Sequence, residues 1–461
     1  MSIESGASAS SRWLALASIC IATFLIPQSI SAVNIALPVI ADELNADAVQ
    51  VSWLSTVNLW GSVLLMLPAG RIADMFGRKR IYLLGTFSFA LSSLLVSVTV
   101  DVDSLLWVRL LQGLSSSFVF GTAVAIVSSL FSDSNRGTAL GLTSTSVYLG
   151  LTCGPLVGGW LTELLGWRSV FWAPVPLLLA AMALVLITIK GDWKSAERGR
   201  FDWVGSLLFA GWTTALFFGL SGLPELPFMG LILAGFGLLY VFVRHQIAST
   251  SPLVRIRALQ QNRVISRSML TSLFMYGAHA PILFLLSLYL QYLQGMSPAE
   301  SGQLILLQAL IMASLAPFAG RLSDRFEPRI IATLGCLLFT AGFVVLLTIN
   351  TGSGLVPLII ALVLLGTGFG LFSSPNTNAA LSSVDKDRLG IASALMNLAR
   401  TLGNMFSMAI VVLLFNQLLG ETAIEPERYP ELLQVIKVAL ALACGYTLIA
   451  AWCSYSRGNI R

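Results

Sequence analysis

Apolar runs of about 20 residues alternate with short polar gaps along the whole chain, and a helix of that length just crosses a hydrocarbon layer with its backbone bonds satisfied internally. The pattern predicts fourteen transmembrane helices, at residues 14–40, 51–70, 80–99, 104–130, 137–160, 169–189, 203–221, 226–245, 264–292, 300–319, 329–349, 354–382, 390–417 and 434–455. The fold class is therefore an all-α membrane protein, with no gap long enough for a soluble domain. The first run contains FLIPQSISAVNIALP, Phe24 to Pro38, which carries Gln28, Ser29, Ser31 and Asn34 without a charge.

Of the 461 residues, 56% are hydrophobic and 11% charged, outside the range of soluble domains. The net charge of +5 is an orientation signal and implies no nucleic-acid partner. With both termini in the cytoplasm, Arg71, Arg78, Lys79, Arg80, Arg136, Lys190, Lys194, Arg198, Arg200, Arg244, Arg255, Arg257, Arg263, Arg321, Arg325, Arg329, Lys386 and Arg388 fall inside. Only Arg168, Arg428 and Lys437 fall outside. Asp42, Glu43, Asp47, Asp101, Asp103, Glu421, Glu425, Glu427 and Glu431 gather on the opposite face. The opening MSIESGASASSRW lacks the basic start and cleavage site of a secretory signal, so the first helix is expected to be retained in a plasma membrane, the bacterial inner membrane. Cys20, Cys153, Cys336, Cys444 and Cys453 are irregularly spaced within predicted helices and suggest neither a disulfide framework nor a metal site.

Two loops read alike: GRIADMFGRKR, Gly70 to Arg80, and GRLSDRFEPR, Gly320 to Arg329. They follow the second and tenth helices, so the repeat spans eight helices. The economical parse is two six-helix halves, 1–190 and 262–461, with an inserted helix pair at 191–261. Parallel repeats around a central site are a transporter pattern.

At these motifs the chain resembles the major facilitator superfamily, and within it the fourteen-helix drug:proton antiporters, over essentially its whole length. Gly70, Asp74, Gly77, Arg78, Lys79 and Arg80 match the family's loop signature. Arg109, Gln112 and Gly113 match its fourth-helix signature. Gly150, Gly154, Pro155, Gly158 and Gly159 match the antiporter signature, and FDWVG and YLQGMSPAESG also fit.

Physically, Asp74 at a helix end can accept from N-terminal amides or pair with Arg, forming a conformational latch; RKR alternatively anchors the loop at anionic lipid. In the second copy Asp324 and Arg325 remain, but Glu327 and Pro328 replace Gly and Arg. Glycines 150, 154 and 158 recur every fourth residue and strip one helix face to backbone, as at an interface around which halves rock, while Pro155 frees a carbonyl. Arg109 lies inside a membrane segment, and Arg109, Gln112, Gly113, Ser116 and Phe120 share a cavity-like face. The alternative is an Arg that snorkels to the outer interface or is held by backbone carbonyls. Relatives of the family link this Arg to proton transfer.

Ser268, Ser272, Tyr276, His279 and Ser287 form a polar stripe on the ninth helix, cavity-lining in the superfamily. Asn397, Arg400, Asn404 and Ser407 form another on the thirteenth, which the resemblance makes peripheral; that stripe reads as structural. His279 is the one embedded group with an ordinary pKa near neutrality, and reads either as a proton carrier or as a neutral His hydrogen-bonded within the bundle. Asn376 and Asn378 either contact substrate or serve packing.

Relatives commonly carry an Asp nine residues before the proline of ALP; here Ser29 stands there. No carboxylate lies deep in a predicted helix, so a cavity holding Arg109 and His279 repels lipophilic cations and tolerates neutral or anionic compounds. Ser29 projects opposite to Ser31 and Asn34: one face lines the cavity and the other joins helices. The resulting expectation is a monomeric secondary transporter exporting amphipathic small molecules by alternating access, with proton antiport through His279 and Arg109, surrounded by membrane lipids and needing no cofactor or metal. An exporter of an endogenous neutral or anionic metabolite or lipid, an uncoupled carrier, and a transport-dead sensor are the alternatives. No enzyme site is legible.

Overall fold

The computed structural model describes residues 9–131, 133–192, 201–249, 252–254, 256, 262–384 and 389–458. Lys194, Arg198, Arg200, Arg255, Arg257, Lys386 and Arg388 lie outside the described residues, as do the side chains of Arg136 and Asp324. The helices are α1 (Ala9–Leu44), α2 (Ala48–Leu64), α3 (Met66–Phe76), α4 (Arg78–Leu95), α5 (Val102–Leu130), α6 (Asp133–Leu165), α7 (Ser169–Trp172) and α8 (Val175–Thr188). They continue with α9 (Trp203–Ser221), α10 (Leu226–Ala248), α11 (Arg263–Leu288), α12 (Pro298–Arg325), α13 (Pro328–Leu347), α14 (Leu355–Ser382), α15 (Leu389–Leu418) and α16 (Tyr429–Tyr455). Among the described residues, thirteen spans are long and apolar enough to cross a membrane, and the bent pair α2–α3 makes a fourteenth. This is a multi-pass membrane protein of two six-helix halves with an inserted pair.

The second predicted helix, 51–70, differs from what forms. It breaks at Leu65, and α3 leaves α2 at 45° and runs on to Phe76. Pro68 is the cause: it has no N–H for the carbonyl of Leu64, and its ring crowds that carbonyl. Likewise the sixth predicted span divides into α7 and α8 around Pro174.

Three helix pairs are the chief contacts between halves: α6 with α12, α2 with α15 and α1 with α11. The tightest of these lies at the end bearing Glu163 and Glu300. A Cβ on Gly159 would sit 2.4 Å from the Pro298 carbonyl oxygen, and one on Gly302 would sit 2.2 Å from that of Pro155. Backbone therefore meets backbone there. The inserted pair α9–α10 leans on the α2–α15 seam, with Trp60 donating to Thr214 Oγ1 at 3.1 Å and Trp212 facing Phe406 at 6.2 Å. Its N-terminus is fastened by Asp202, which accepts from Gly205 N, Gln246 Nε2 and His245 Nε2.

Candidate functional site

Ser29, Ser31 and Asn34 of α1 each turn to a neighbouring helix, while Gln28 Nε2 is buried without a hydrogen-bond partner among the described residues. Pro155 has no N–H to offer the Leu151 carbonyl, and Ser31 Oγ donates to that carbonyl at 3.1 Å. The Ser29 hydroxyl, in the acid's place, is buried and donates to the Val170 carbonyl at 3.4 Å. Asn34 accepts from Ser55 Oγ at 2.7 Å and is the half-exposed member of the set. Neither face of the sequence reading is a bare cavity wall, because both contact helices on opposite sides of α1.

The glycine signature divides in the same way. Cβ atoms on Gly150, Gly154 and Gly158 would meet Phe24 O at 2.2 Å, Ser31 Cβ at 2.5 Å and Ala32 Cα at 2.7 Å, so this stripe packs α6 on α1 within the N-terminal half. Gly159 and the Pro155 carbonyl, on the adjoining face, meet α12 of the other half.

Arg109 is 2% exposed. Its Nε donates to the Leu54 carbonyl at 3.1 Å, its Nη1 donates to Gln112 Oε1 at 3.0 Å, and Gln112 Nε2 donates to Ser93 Oγ at 2.9 Å. Ser116 Oγ donates to the Gly113 carbonyl, and a Cβ on Gly113 would lie 2.2 Å from Asn58 O. The predicted cavity-like face is instead a seam of α5 against α2 and α4. Steric closeness at Gly113 forces that placement.

The loop motif holds its own half together. Asp74 pairs with Arg78 at 2.8 Å, and Arg78 Nη1 reaches across to Ser129 Oγ of α5 at 2.9 Å. Gly77 has φ +116°, and a Cβ there would strike the Asp192 carboxylate. Asp192 accepts from the amides of Lys79 (2.8 Å) and Arg80 (3.3 Å), capping α4, while Lys79 Nζ donates to the Leu186 and Ile189 carbonyls at the end of α8. The carboxylate that receives the helix N-terminus is thus Asp192 and not Asp74; its only signal in sequence is its place just after the sixth apolar run. Gly70 approaches the Gly121 carbonyl. In the second copy Glu327 precedes Pro328 at the start of α13, and Arg325 is exposed.

On α14, Asn376 is 1% exposed: Nδ2 donates to the Ser268 carbonyl (3.1 Å) and Ser272 Oγ (2.9 Å), while Oδ1 accepts from Arg457 (2.8 Å). Asn378 donates to Ser323 Oγ on α12. Both hold helices together. His279 lies against Phe369 with ring centroids 4.4 Å apart and against Phe339 at 6.1 Å; its nitrogens have no hydrogen bond or ion pair among the described residues.

The residues that meet between the halves are different ones. Tyr148 of α6 and Tyr276 of α11 join hydroxyl to hydroxyl at 3.2 Å, and Tyr276 reaches Ser373 Oγ of α14 at 3.5 Å. Arg400 of α15 donates from Nη2 to Thr377 Oγ1 at 2.6 Å and from Nη1 to the Tyr148 hydroxyl at 3.5 Å; its guanidinium lies 5.2 Å from the Tyr276 ring centroid. Tyr148, Tyr276, Thr377 and Arg400 are each half-buried, and Phe369 and Phe372 flank Tyr276. Four helices from both halves converge here, about three turns inside α15. Tyr276 was legible as a candidate; Tyr148 and Arg400 were not placed at a site. The one available signal was the cost of an Arg in a membrane segment, which Arg400 shares with Arg109.

The model of the Major Facilitator Superfamily matches residues 19–408. Riboflavin transporter RibZ of Clostridioides difficile (strain 630) is 30% identical over 399 residues, covering 86% of this chain and 87% of that protein. The lincomycin resistance protein of Streptomyces lincolnensis is 30% identical, covering 89% and 85%, and the tetracenomycin C resistance and export protein of Streptomyces glaucescens is 26% identical, covering 91% and 78%. Among solved structures, a bacterial homolog of the human lysosomal transporter Spinster superposes with TM-score 0.71 at 15% identity, covering 98% of this chain and 97% of that one.

Proposed function

Because the chain belongs to the Major Facilitator Superfamily, we propose that it is a secondary transporter that exports amphipathic small molecules by alternating access. The carrying observation is the cluster of Tyr148, Tyr276, Ser373, Thr377 and Arg400, in which polar side chains of both halves meet well inside the membrane helices. Buried polar groups at a seam between moving bodies are exchanged for ligand contacts when the seam opens. Tyr276, Phe369 and Phe372 supply an aromatic wall for the apolar part of a substrate. Relatives named for resistance or export support the outward direction.

In this reading the halves, 1–190 and 262–461, rock about the α6–α12 contact while 191–261 rides on the α2–α15 seam. The RKR end faces the cytoplasm of a bacterial inner membrane, and the Asp74–Arg78 pair together with the Asp192 cap of α4 keeps the N-terminal half rigid as it moves. Proton antiport is the drive that the resemblance implies, with His279 as the group that carries it. The test is export of a fluorescent amphipathic dye from proteoliposomes under an imposed pH gradient. Export that stops on addition of an uncoupler, and in His279→Ala, supports antiport through this residue; absence of dye movement in either direction overturns the transporter reading.

A second reading, a carrier without proton coupling, is favoured by the surroundings of His279. It packs on Phe369 without a polar partner among the described residues, and every carboxylate among them lies in a loop or in the first or last turn of a helix. Dye movement indifferent to uncoupler and to His279→Ala selects this reading.

A further inference from the structure

Arg400 is a cation whose named partners are all neutral: the Thr377 hydroxyl, the Tyr148 hydroxyl and the face of Tyr276. No ion pair to it forms among the described residues. Among the described residues its Nε is buried without a hydrogen-bond partner, and so is Oδ1 of Asn404, one turn along the same face of α15. A guanidinium held inside a membrane bundle by neutral groups retains both an unmet charge and open N–H donors, which is costly unless something supplies the counter-charge.

The rest of the site limits what that something is. Thr377 and Tyr148 hold the guanidinium from two sides, fixing the plane of its fork, and a fork with free N–H groups matches the two oxygens of a carboxylate or sulfonate. The cluster is half-buried, so a molecule can reach it. Tyr276, Phe369 and Phe372 next to it accept an apolar or aromatic body. A cationic substrate meets repulsion here, with no carboxylate among the described residues to offset it.

We propose that Arg400 docks the anionic head of the transported molecule, so that the substrate class is the amphipathic organic acids, carboxylates or sulfonates with an apolar ring system. The proposal rests on the exporter reading for its direction of transport but not for the binding step. Tyr148, donated by the opposite half, senses the filled site, because an anion bound to the guanidinium competes for the Nη1 that reaches its hydroxyl.

The test is equilibrium binding to the purified full chain in lipid nanodiscs, where there is no gradient and no direction. The probes are naphthylacetate, naphthylacetamide and naphthylethylammonium, which share one ring system and differ in charge. The expected result is that the acid binds at least about tenfold more tightly than the amide, as for a charge-assisted hydrogen bond, and the ammonium more weakly still. In Arg400→Gln the acid and amide should bind within about twofold of one another. Asn404→Asp provides a variant that keeps Arg400 and nearly the same side-chain volume: a carboxylate one turn away neutralises the guanidinium and should abolish the preference for the acid. Amide or ammonium binding as tight as the acid in the wild type overturns the proposal, as does an acid preference that survives in either variant. Binding that behaves as expected while naphthylacetate is not exported from proteoliposomes leaves the docking site standing and overturns the exporter reading instead.

Discussion

Two arginines stand inside the membrane helices of this protein, Arg109 on α5 and Arg400 on α15, and sequence alone gives each the same physical anomaly. Their surroundings differ in kind. Arg109 is 2% exposed, and its donors end on a backbone carbonyl and on Gln112, which is itself held by Ser93; every partner belongs to the N-terminal half. Arg400 is half-buried, reaches a tyrosine of the opposite half, and leaves Nε unfilled. Partners drawn from one half alone fix its helices to one another. A half-buried cation that reaches across the seam is open to a ligand. What separates a structural cation from a binding cation is thus whether its partners belong to one rigid body or to two, and hydropathy does not carry that information.

The largest effect expected from breaking this contrast falls on stability. Arg109→Met removes the donors to the Leu54 carbonyl and to Gln112 Oε1 in a buried seam, with Gln112 still bound to Ser93. Leaving a buried neutral acceptor without its partner costs about 1–3 kcal/mol. Thermal unfolding of the purified variant in detergent should show a large drop in midpoint, with transport per folded molecule retained. A stable variant that has lost transport would move Arg109 into the functional class.

Arg400→Gln should do the converse. The substitution removes hydrogen bonds to Thr377 and Tyr148 at a half-exposed site, where the replaced charge was poorly compensated, so stability is expected to change by less than about 1 kcal/mol. Export of an accepted substrate should fall at least about tenfold, equivalent to about 1.4 kcal/mol. The comparison collapses if Arg400→Gln unfolds the protein as readily as Arg109→Met. Tyr148→Phe sharpens the point with a smaller effect, about 1 kcal/mol for one neutral hydrogen bond. Measured with Arg400→Gln in a double-mutant cycle of transport, the two should be non-additive, since they remove two ends of one contact.

Much of the architecture was readable because membrane helices are set by length and hydropathy, and thirteen spans plus a bent pair stand where apolar runs predict them. The bend at Leu65 was less so: Pro68 was visible, but whether a proline kinks a span or ends it depends on what packs around it. Site residues were harder for a related reason. Helical spacing groups Arg109, Gln112 and Ser116 on one face, and also Arg400 with Asn404, yet the period says nothing about which face meets a neighbour at backbone distance. Close approach at Gly113 and Gly150 settles that, and both depend on pairings between segments remote in sequence. Asp192 shows the same limit, as its role comes from the meeting of α4 with the end of α8.

A charge outside the membrane segments gives the smallest test, and the cleanest control for a fully partnered ion. Burial opposes ionisation of Asp202, but hydrogen bonds from His245, the Gly205 amide and Gln246 outweigh it and hold the carboxyl below the usual carboxylate range. With the folded value below the unfolded value of about 3.9, the carboxylate's contribution is complete above that pH and is lost as pH falls through the folded value. Its size is on the order of 1 kcal/mol. The unfolding midpoint of the wild type should therefore drop more steeply than that of Asp202→Asn between about pH 4 and about pH 2. Parallel curves over the acid range would show that the α9–α10 clasp does not depend on the charge of Asp202. The idea that filled donors and acceptors mark structural ions would then lose its simplest example.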